Sequence, residues 1–236
     1  MTTWLWVTAA VIVDGAAALV GGLLPDRWLT RYRPALLGFA SGALLAAALL
    51  DIVPDALDQG GAAIWPWVLG GMVVLAAARW FIGTHDHHHH GQAPTPVPYA
   101  LLGSDAVHNF GDGIAIAAAF TTSVRLGIVT ALAVVVHEVP EEVADYAVLR
   151  ASRIGKRKAL WALLLVQLTA ALGAWATLLG ASLVHRQGVL LALAAGTFLY
   201  IALVELIPDV LRSAVMRDRV IAVVGLGFGV AVVALV

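Results

Sequence analysis

The chain has 236 residues, of which 61% are hydrophobic and 12% charged, with a formal net charge of −1. A soluble domain is close to half apolar and about a quarter charged, so this composition indicates a protein embedded in lipid and gives no support for nucleic-acid binding. The absence of cysteine excludes disulfides and thiolate metal ligands, which leaves histidine, carboxylate, amide and backbone groups to hold any metal.

Eight apolar segments follow one another along the chain, and a membrane-spanning helix needs about 20 mostly apolar residues. Clusters of charged residues, proline and glycine separate the predicted spans, which are 3–24, 34–58, 62–83, 99–121, 125–149, 158–184, 188–211 and 219–236. The first has no basic start and contains Asp14, so we expect a retained span and not a cleaved signal peptide. The expected fold is an all-α polytopic membrane protein with residues 1–236 in a single transmembrane domain.

The basic residues segregate to one side of these spans. Twelve of the 14 lysines and arginines lie in or beside the connectors that follow spans 1, 3, 5 and 7, and Arg79 is counted with the connector after span 3. Arg125 and Arg186 are the exceptions. The positive-inside rule assigns these four connectors to the cytoplasm. Both termini are then outside, and loop 84–98 is cytoplasmic and, by composition, disordered. Its histidines are His85, His87, His88, His89 and His90. We expect a bacterial-type plasma (inner) membrane, with its lipid bilayer as a partner.

Two segments that cross in opposite directions in this arrangement resemble each other. ASGALLAAALLDIVPDAL, from Ala40, aligns without gaps with AAGTFLYIALVELIPDVL, from Ala194. Asp51 falls on Glu205, and each acid precedes a helix-breaking proline. Inverted repeats with this feature are typical of secondary transporters. The two acids are auxiliary site candidates, although capping or packing at the proline kinks explains them equally well.

The fourth and fifth spans contain a concentration of ionisable residues. The fourth has four polar side chains on one helical face, at i, i+3, i+4 and i+7: Asp105, His108, Asn109 and Asp112. The fifth has another stripe, at i, i+1, i+4, i+5 and i+8: His137, Glu138, Glu141, Glu142 and Asp145. A charge at the bilayer centre costs about 2.5–3.5 kcal/mol. No basic residue is predicted at this depth, so we expect metal cations to neutralise the carboxylates.

Histidine and carboxylate one turn apart on two facing helices supply four convergent nitrogen and oxygen ligands, which suit a divalent transition metal. Each of three further residues follows a member of these pairs directly in the sequence and lies beside it on the helix: Asn109, Glu138 and Glu142. They allow a second, adjacent metal bridged by shared carboxylates. A lone polar residue such as Asp14 or Gln167 is explained as well by hydrogen bonding. Gln167 is therefore only an auxiliary candidate.

These features together resemble the ZIP family of divalent-metal transporters. HNFGDG and HEVPEEVADYAVL are similar to the signatures of the branch whose fifth-span motif is HExPHExGD, and FLYIALVELIPD fits the seventh span. The resemblance implies inverted repeats of spans 1–3 and 6–8 around a central pair of spans, and movement of metal into the cytoplasm. We therefore expect a transporter and not an enzyme, with Zn²⁺ as substrate and no organic cofactor.

The resemblance also assigns residues by position. The primary site would consist of His108, Asp112, His137 and Glu141. A second or exit site would consist of Asn109, Glu138 and Glu142. Glu141 stands where the branch usually has histidine, and Ala144 replaces a glycine. A carboxylate in place of imidazole makes the site harder, which weakens a preference for Zn²⁺ and keeps Fe²⁺, Mn²⁺ and Cd²⁺ as alternatives.

The predicted topology also gives a route for the metal. Asp55 and Asp58 lie at the outer end, where they would attract cations, and Asp105 and Asp145 lie on the cytoplasmic side of the site. The latter pair would pass metal towards the histidines of loop 84–98, for which an inert linker is the alternative.

Three other functions fit parts of the sequence. HEVPE begins like the HExxH motif of zinc hydrolases with Glu138 as the base, but Glu141 replaces the second histidine. A proton- or Na⁺-coupled carrier of organic solutes would share the repeat and the buried acids but not the clustered histidines. A metal sensor or scaffold protein that transports no ion is the third alternative.

Gly/Ala-rich helix faces would allow two copies of the chain to pack as a homodimer.

Overall fold

The computed structural model describes residues 2–23, 26–83, 97–180, 187–212 and 215–235. Within these ranges the chain consists of helices and short turns without strands, which confirms the predicted all-α class. The predicted histidine loop lies outside the described residues, apart from its last two residues, which begin a helix.

Ten α-helices are described. The first half contains α1 (Thr2–Leu23), α2 (Asp26–Ala46), α3 (Val53–Gly60) and α4 (Trp65–Gly83). The second half contains α5 (Val97–Thr122), α6 (Val124–Ala151), α7 (Lys156–Gly180), α8 (Gln187–Tyr200), α9 (Ile207–Leu211) and α10 (Met216–Ala234). Among the described residues, three stretches are long and apolar enough to cross a bilayer by length and composition: Arg31–Phe81, Lys156–Gly180 and Gln187–Leu211.

Two π-helical segments connect helices that would otherwise be continuous. Ala47–Ile52 joins α2 to α3, and Ile201–Leu206 joins α8 to α9. Pro54 and Pro208 follow them, and because proline has no amide hydrogen, the carbonyl four residues earlier loses its helical partner. In the wider turn, the amide after each segment donates to the carbonyl five residues earlier. Each segment also contains one of the two repeated acids.

The helices pack in two groups. The first group consists of α1, α5, α6 and α7, through α1–α6, α1–α7, α5–α6 and α5–α7 contacts. The second group consists of α2, α4, α8 and α10, through α2–α10, α2–α8 and α4–α8 contacts. The groups meet where α2 packs on α6 and where α5 packs on α4 and α8. Residues on α4 and α8 can therefore reach the polar faces of α5 and α6.

Glycines allow close contact of helix backbones inside both groups. A Cβ on Gly113 of α5 would overlap the carbonyl oxygen of Ala170 in α7, and a Cβ on Gly173 of α7 would overlap that of Phe110. The α2–α10 and α4–α8 contacts contain similar glycines. These glycine faces are covered within the chain, so they lend no support to the homodimer, which stays a prediction.

Candidate metal centre

Four buried side chains of α5 and α6 converge inside the first helix group. His108 and Asp112 are one turn apart on α5, and His137 and Glu138 are neighbours on α6. One nitrogen or oxygen atom from each lies within 4.8 Å of the other three. The structure therefore brings together three members of the predicted primary site, with Glu138 as the fourth, where the sequence assigned Glu141.

The distances between these atoms are those of a small cation site. His108 Nε2 lies 3.0 Å from His137 Nε2, and Asp112 Oδ2 lies 3.3 Å from both nitrogens. Glu138 Oε1 lies 3.5 Å from His108 Nε2 and 3.6 Å from His137 Nε2. Tetrahedral ligands about 2.1 Å from a zinc ion stand about 3.4 Å apart. The four atoms could therefore surround one ion after small adjustments.

A backbone carbonyl orients one of the two histidines. His137 Nδ1 lies 3.1 Å from the carbonyl oxygen of Ala133, one turn earlier on α6. If Nδ1 carries the hydrogen and donates it to this oxygen, the Nε2 lone pair is directed at the other three ligands. Metal-binding histidines commonly use their second ring nitrogen in this way.

Several carboxylate oxygens of this group are buried without a hydrogen-bond donor. Among the described residues, both oxygens of Asp112 and the Oε1 atom of Glu138 have no hydrogen-bond partner. Buried polar atoms are nearly always paired in folded proteins, because an unpaired one costs free energy. A bound cation would supply the missing partner.

Amide side chains donate hydrogen bonds to the acids next to this group. Gln167 Nε2, from α7, donates to Glu138 Oε2 and to Glu142 Oε1, both at 2.7 Å. Asn109 Nδ2 donates to the backbone oxygen and to Oδ1 of Asp105, at 3.1 and 3.0 Å. Asn109 and Glu142 therefore flank the four-atom group, and Gln167 holds Glu138 with its other oxygen facing the histidines.

The prediction that no basic residue reaches this depth is wrong. Arg79 of α4 is only 22% exposed, and its Nη2 donates to Glu141 Oε1 at 2.9 Å and to Glu205 Oε2 at 3.1 Å. Its Nε lies 3.0 Å from Glu205 Oε1. Arg79 lies near the end of the predicted span 62–83, and its side chain reaches two partly buried acids inside the protein. Glu205 is therefore an ion-pair partner of an arginine.

Glu141 lies between this arginine and the histidines. Its Oε2 atom is 3.6 Å from His108 Nε2, while its Oε1 atom accepts from Arg79. Glu141 can therefore offer one oxygen to a metal while the other remains on the guanidinium.

The acids predicted on the cytoplasmic exit path are buried. Asp145 is 6% and Asp105 2% exposed, and Asp105 is bonded to Asn109 beside the four-atom group. The histidines that would receive the metal, at positions 85 and 87–90, lie outside the described residues.

The acids predicted at the outer end differ in exposure. Asp51 is buried, and its Oδ1 lies 3.5 Å from Nη2 of Arg125. Asp55 is partly buried and Asp58 is exposed. Asp51 and Glu205, which correspond in the repeat, thus each lie beside an arginine.

Two ionisable residues inside the protein, one partly and one fully buried, were not among the predicted site residues. Besides Arg79, Asp14 of α1 is fully buried, and neither carboxylate oxygen has a hydrogen-bond partner among the described residues. In both cases the available signal was one charge in an apolar stretch, which often indicates a functional residue. A single charge gives no helical spacing, so the periodicity that revealed α5 and α6 could not select these two.

The family model described as ZIP zinc transporter matches residues 82–236, which include both helices of the candidate centre. The chain belongs to the ZIP family. This membership confirms the resemblance to the ZIP family, and a family of transporters agrees with the expectation that the chain is not an enzyme.

Relatives of this ZIP chain include mammalian zinc transporters. Zinc transporter ZIP4 of Homo sapiens is 40% identical over 116 residues, which cover 49% of this chain and 18% of ZIP4. Zinc transporter SLC39A7 of Mus musculus is 28% identical over 337 aligned positions, covering 100% of this chain and 70% of the relative. Zinc transporter ZIP13 of Pongo abelii is 32% identical over 204 residues, covering 75% and 58%. The alignments thus cover 18% of the length of ZIP4, 58% of that of ZIP13 and 70% of that of SLC39A7.

Proposed function

We propose that this ZIP chain carries a divalent transition-metal ion across a membrane into the cytoplasm, with Zn²⁺ as its main substrate. The observation that carries the proposal is the buried, convergent group His108, Asp112, His137 and Glu138. The relatives are named as zinc transporters, which supports Zn²⁺ as the substrate.

The ion would be bound by His108, Asp112 and His137, together with a carboxylate from Glu138 or Glu141. Two imidazoles and two carboxylates suit Zn²⁺, but this harder set also admits Fe²⁺, Mn²⁺ and Cd²⁺. Competitive uptake of the four ions, with and without a pH gradient, separates them. We expect Zn²⁺ to suppress uptake of the others, and a stronger suppression by Fe²⁺ or Mn²⁺ would contradict the choice of zinc.

The proposal includes eight membrane spans, both termini outside and a bacterial-type inner membrane. In it, α1, α4, α5, α6, α7 and α10 each form one span, and the π-linked pairs α2–α3 and α8–α9 form two more. Repetition of spans 1–3 in spans 6–8 is supported by the two π-helical segments at corresponding positions. It is also supported by Gly42 and Gly196, which correspond in the repeat. A Cβ on either would overlap a carbonyl oxygen, from α10 for Gly42 and from α4 for Gly196.

The proposed path runs from the outer acids through the centre to the cytoplasm. Metal would arrive near Asp55 and Asp58, pass the two histidines, and leave along Asp105 and Asp145 towards the histidine-rich segment. Asp58, at the proposed entrance, is exposed, and Asp105, on the proposed exit, accepts from Asn109 beside the four-atom group.

The alternatives account for fewer of the contacts. A metallohydrolase would need Glu138 as a free base, but its Oε1 converges on the ligand group and its Oε2 accepts from Gln167. An organic-solute carrier gives no reason for two histidine nitrogens 3.0 Å apart. A metal sensor would bind the ion at the same site but would not move it across the membrane, so the uptake experiment below separates the two functions.

Uptake into liposomes tests the function. Purified protein is reconstituted, and entry of Zn²⁺ is followed with a fluorescent zinc indicator inside the vesicles. The unmodified chain is expected to admit Zn²⁺, and the double variant His108→Ala with Glu141→Ala is expected to abolish uptake while eluting as a folded protein in gel filtration. The exposed variant Arg157→Gln, at a residue outside the proposed path, provides a control for reconstitution, with most uptake retained. Uptake by the double variant at the unmodified rate would refute the assignment.

A further inference from the structure

We propose that Arg79 is a resident cation that takes the place of a second metal ion, so that the centre holds one metal ion at a time. The inference rests on the proposed metal site and decides between one and two bound ions, which the residue pattern alone left open.

The position of the guanidinium is that of a second cation. Arg79 Nη2 donates to Glu141 Oε1 at 2.9 Å, and the other oxygen of the same carboxylate lies 3.6 Å from His108 Nε2. Glu141 is therefore a bridging carboxylate with one oxygen towards the metal group and one towards a positive charge. In a binuclear centre that second charge would be a metal ion. In this chain it belongs to α4.

On the side of Glu141, three carboxylate oxygens already contact the guanidinium of Arg79. Arg79 contacts both oxygens of Glu205, at 3.0 and 3.1 Å, in addition to Glu141 Oε1. An arginine side chain stays protonated in proteins, so these oxygens cannot be released by deprotonation of the guanidinium. A second divalent ion beside Glu141 would therefore meet a fixed positive charge and too few free ligands.

On the side of Glu142, the neutral side-chain amide of Gln167 contacts the carboxylate oxygens. Gln167 Nε2 donates to Glu138 Oε2 and Glu142 Oε1, two of the oxygens that a second metal would need. Four oxygens on this side have no hydrogen-bond partner among the described residues: Asn109 Oδ1, Asp105 Oδ2, Glu142 Oε2 and Gln167 Oε1. Within the described part of the chain, however, the His, Asp and Glu ligand atoms that all lie within 4.8 Å of one another are those of the group of four. The convergent group of four thus remains as the place for a single ion.

Metal stoichiometry of the purified full chain tests this role. Every protein carries His85, His87, His88, His89 and His90 as serine and a purification tag without histidine, so that the histidine-rich segment does not add bound metal. The protein in detergent is saturated with Zn²⁺, separated from free ion by gel filtration, and analysed for zinc and sulfur by mass spectrometry. We expect one Zn²⁺ per chain with Arg79 present and two in R79Q, because Glu141 and Glu205 then become available.

Two further variants separate charge from fold. R79K keeps a positive charge and is expected to retain one ion. R33Q removes an arginine that pairs with Asp209 at 2.6 Å in an exposed ion pair, and it is also expected to retain one. R79A replaces R79Q if the latter does not elute as a folded protein.

The outcomes distinguish this inference from the proposed function. Two ions in the presence of Arg79, or one ion in folded R79Q and R79A, would overturn the role of Arg79 and leave the metal site standing. No bound ion in any protein of the series would overturn both.

Discussion

The placement of Glu138 and Glu142, two of the carboxylates of α6, depends on Gln167. Its single amide nitrogen lies 2.7 Å from Glu138 and 2.7 Å from Glu142, so it holds two acidic side chains in fixed directions. Without this donor, two buried carboxylates would face each other unpaired, and Glu138 could turn away from the histidines. Hydrogen bonds that orient a metal ligand in this way commonly affect the affinity for the metal.

Replacement of this side chain gives a prediction at the same scale. Gln167→Leu is expected to weaken Zn²⁺ binding by about 10–100-fold, the range for loss of an outer-shell contact. Isothermal titration calorimetry on the purified chain measures the change. Gln59→Leu is the matched control, because Gln59 is exposed and donates to the hydroxyl of Thr122, at 3.3 Å, away from the metal group. An affinity equal to that of the unmodified chain would show that Gln167 does not position Glu138.

Spacing along a helix predicts which residues share a face but not which one reaches furthest. His108 and Asp112 are one turn apart, so their convergence with His137 follows from helix geometry once α5 and α6 pack together. Glu138 and Glu141 lie on the same stripe, and helical spacing cannot rank them, whereas the family resemblance placed Glu141 in the primary site. Their roles depend on Gln167 and Arg79, which come from other helices and pull the two carboxylates in different directions.

At the scale of elements, the contact between α5 and α7 supports the centre. Gly113 and Gly173 each lie against a carbonyl of the opposite helix, so the two backbones touch close to Asp112 and Gln167. Any side chain at these glycines must separate the helices, and the distance between the ligands of α5 and the amide donor of α7 would then increase.

Gly113→Ala tests this dependence. The added methyl group is expected to cost about 1–3 kcal/mol, as for other overpacked contacts, and to reduce Zn²⁺ affinity in parallel. Thermal unfolding in detergent and zinc titration measure the two effects. Gly103→Ala on the same helix is the control, since a Cβ there meets nothing within 4 Å. Equal melting temperatures for the two variants would mean that the α5–α7 contact can open at little cost.

The apolar segments predict the existence of the helices better than their internal geometry. Proline weakens a helix wherever it occurs, but α6 continues through Pro140 while Pro54 and Pro208 each follow a π-helical segment. The same residue thus has two outcomes, and packing of the neighbouring helices decides between them. A single sequence does not contain that packing.

At the scale of the whole molecule, the orientation can be tested because the chain has no cysteine. Single cysteines at Thr2 and Leu235 are expected to react with a membrane-impermeant maleimide on intact cells, since the proposed topology has both ends outside. A cysteine at Ser152, in the turn between α6 and α7, is expected to react only after permeabilisation. The reverse labelling pattern would invert the proposed direction, and labelling of one end only would contradict an even number of spans.

The ion pair between Arg79 and Glu141 joins the two helix groups. Arg79 and Glu205 belong to the group of α2, α4, α8 and α10, whereas Glu141 belongs to the group of α1, α5, α6 and α7. A carrier exposes its site alternately to the two sides by moving one bundle against another. Any such sliding must first separate the guanidinium from Glu141. In a carrier of that kind, the ion pair between Arg79 and Glu141 would oppose the change from one side to the other.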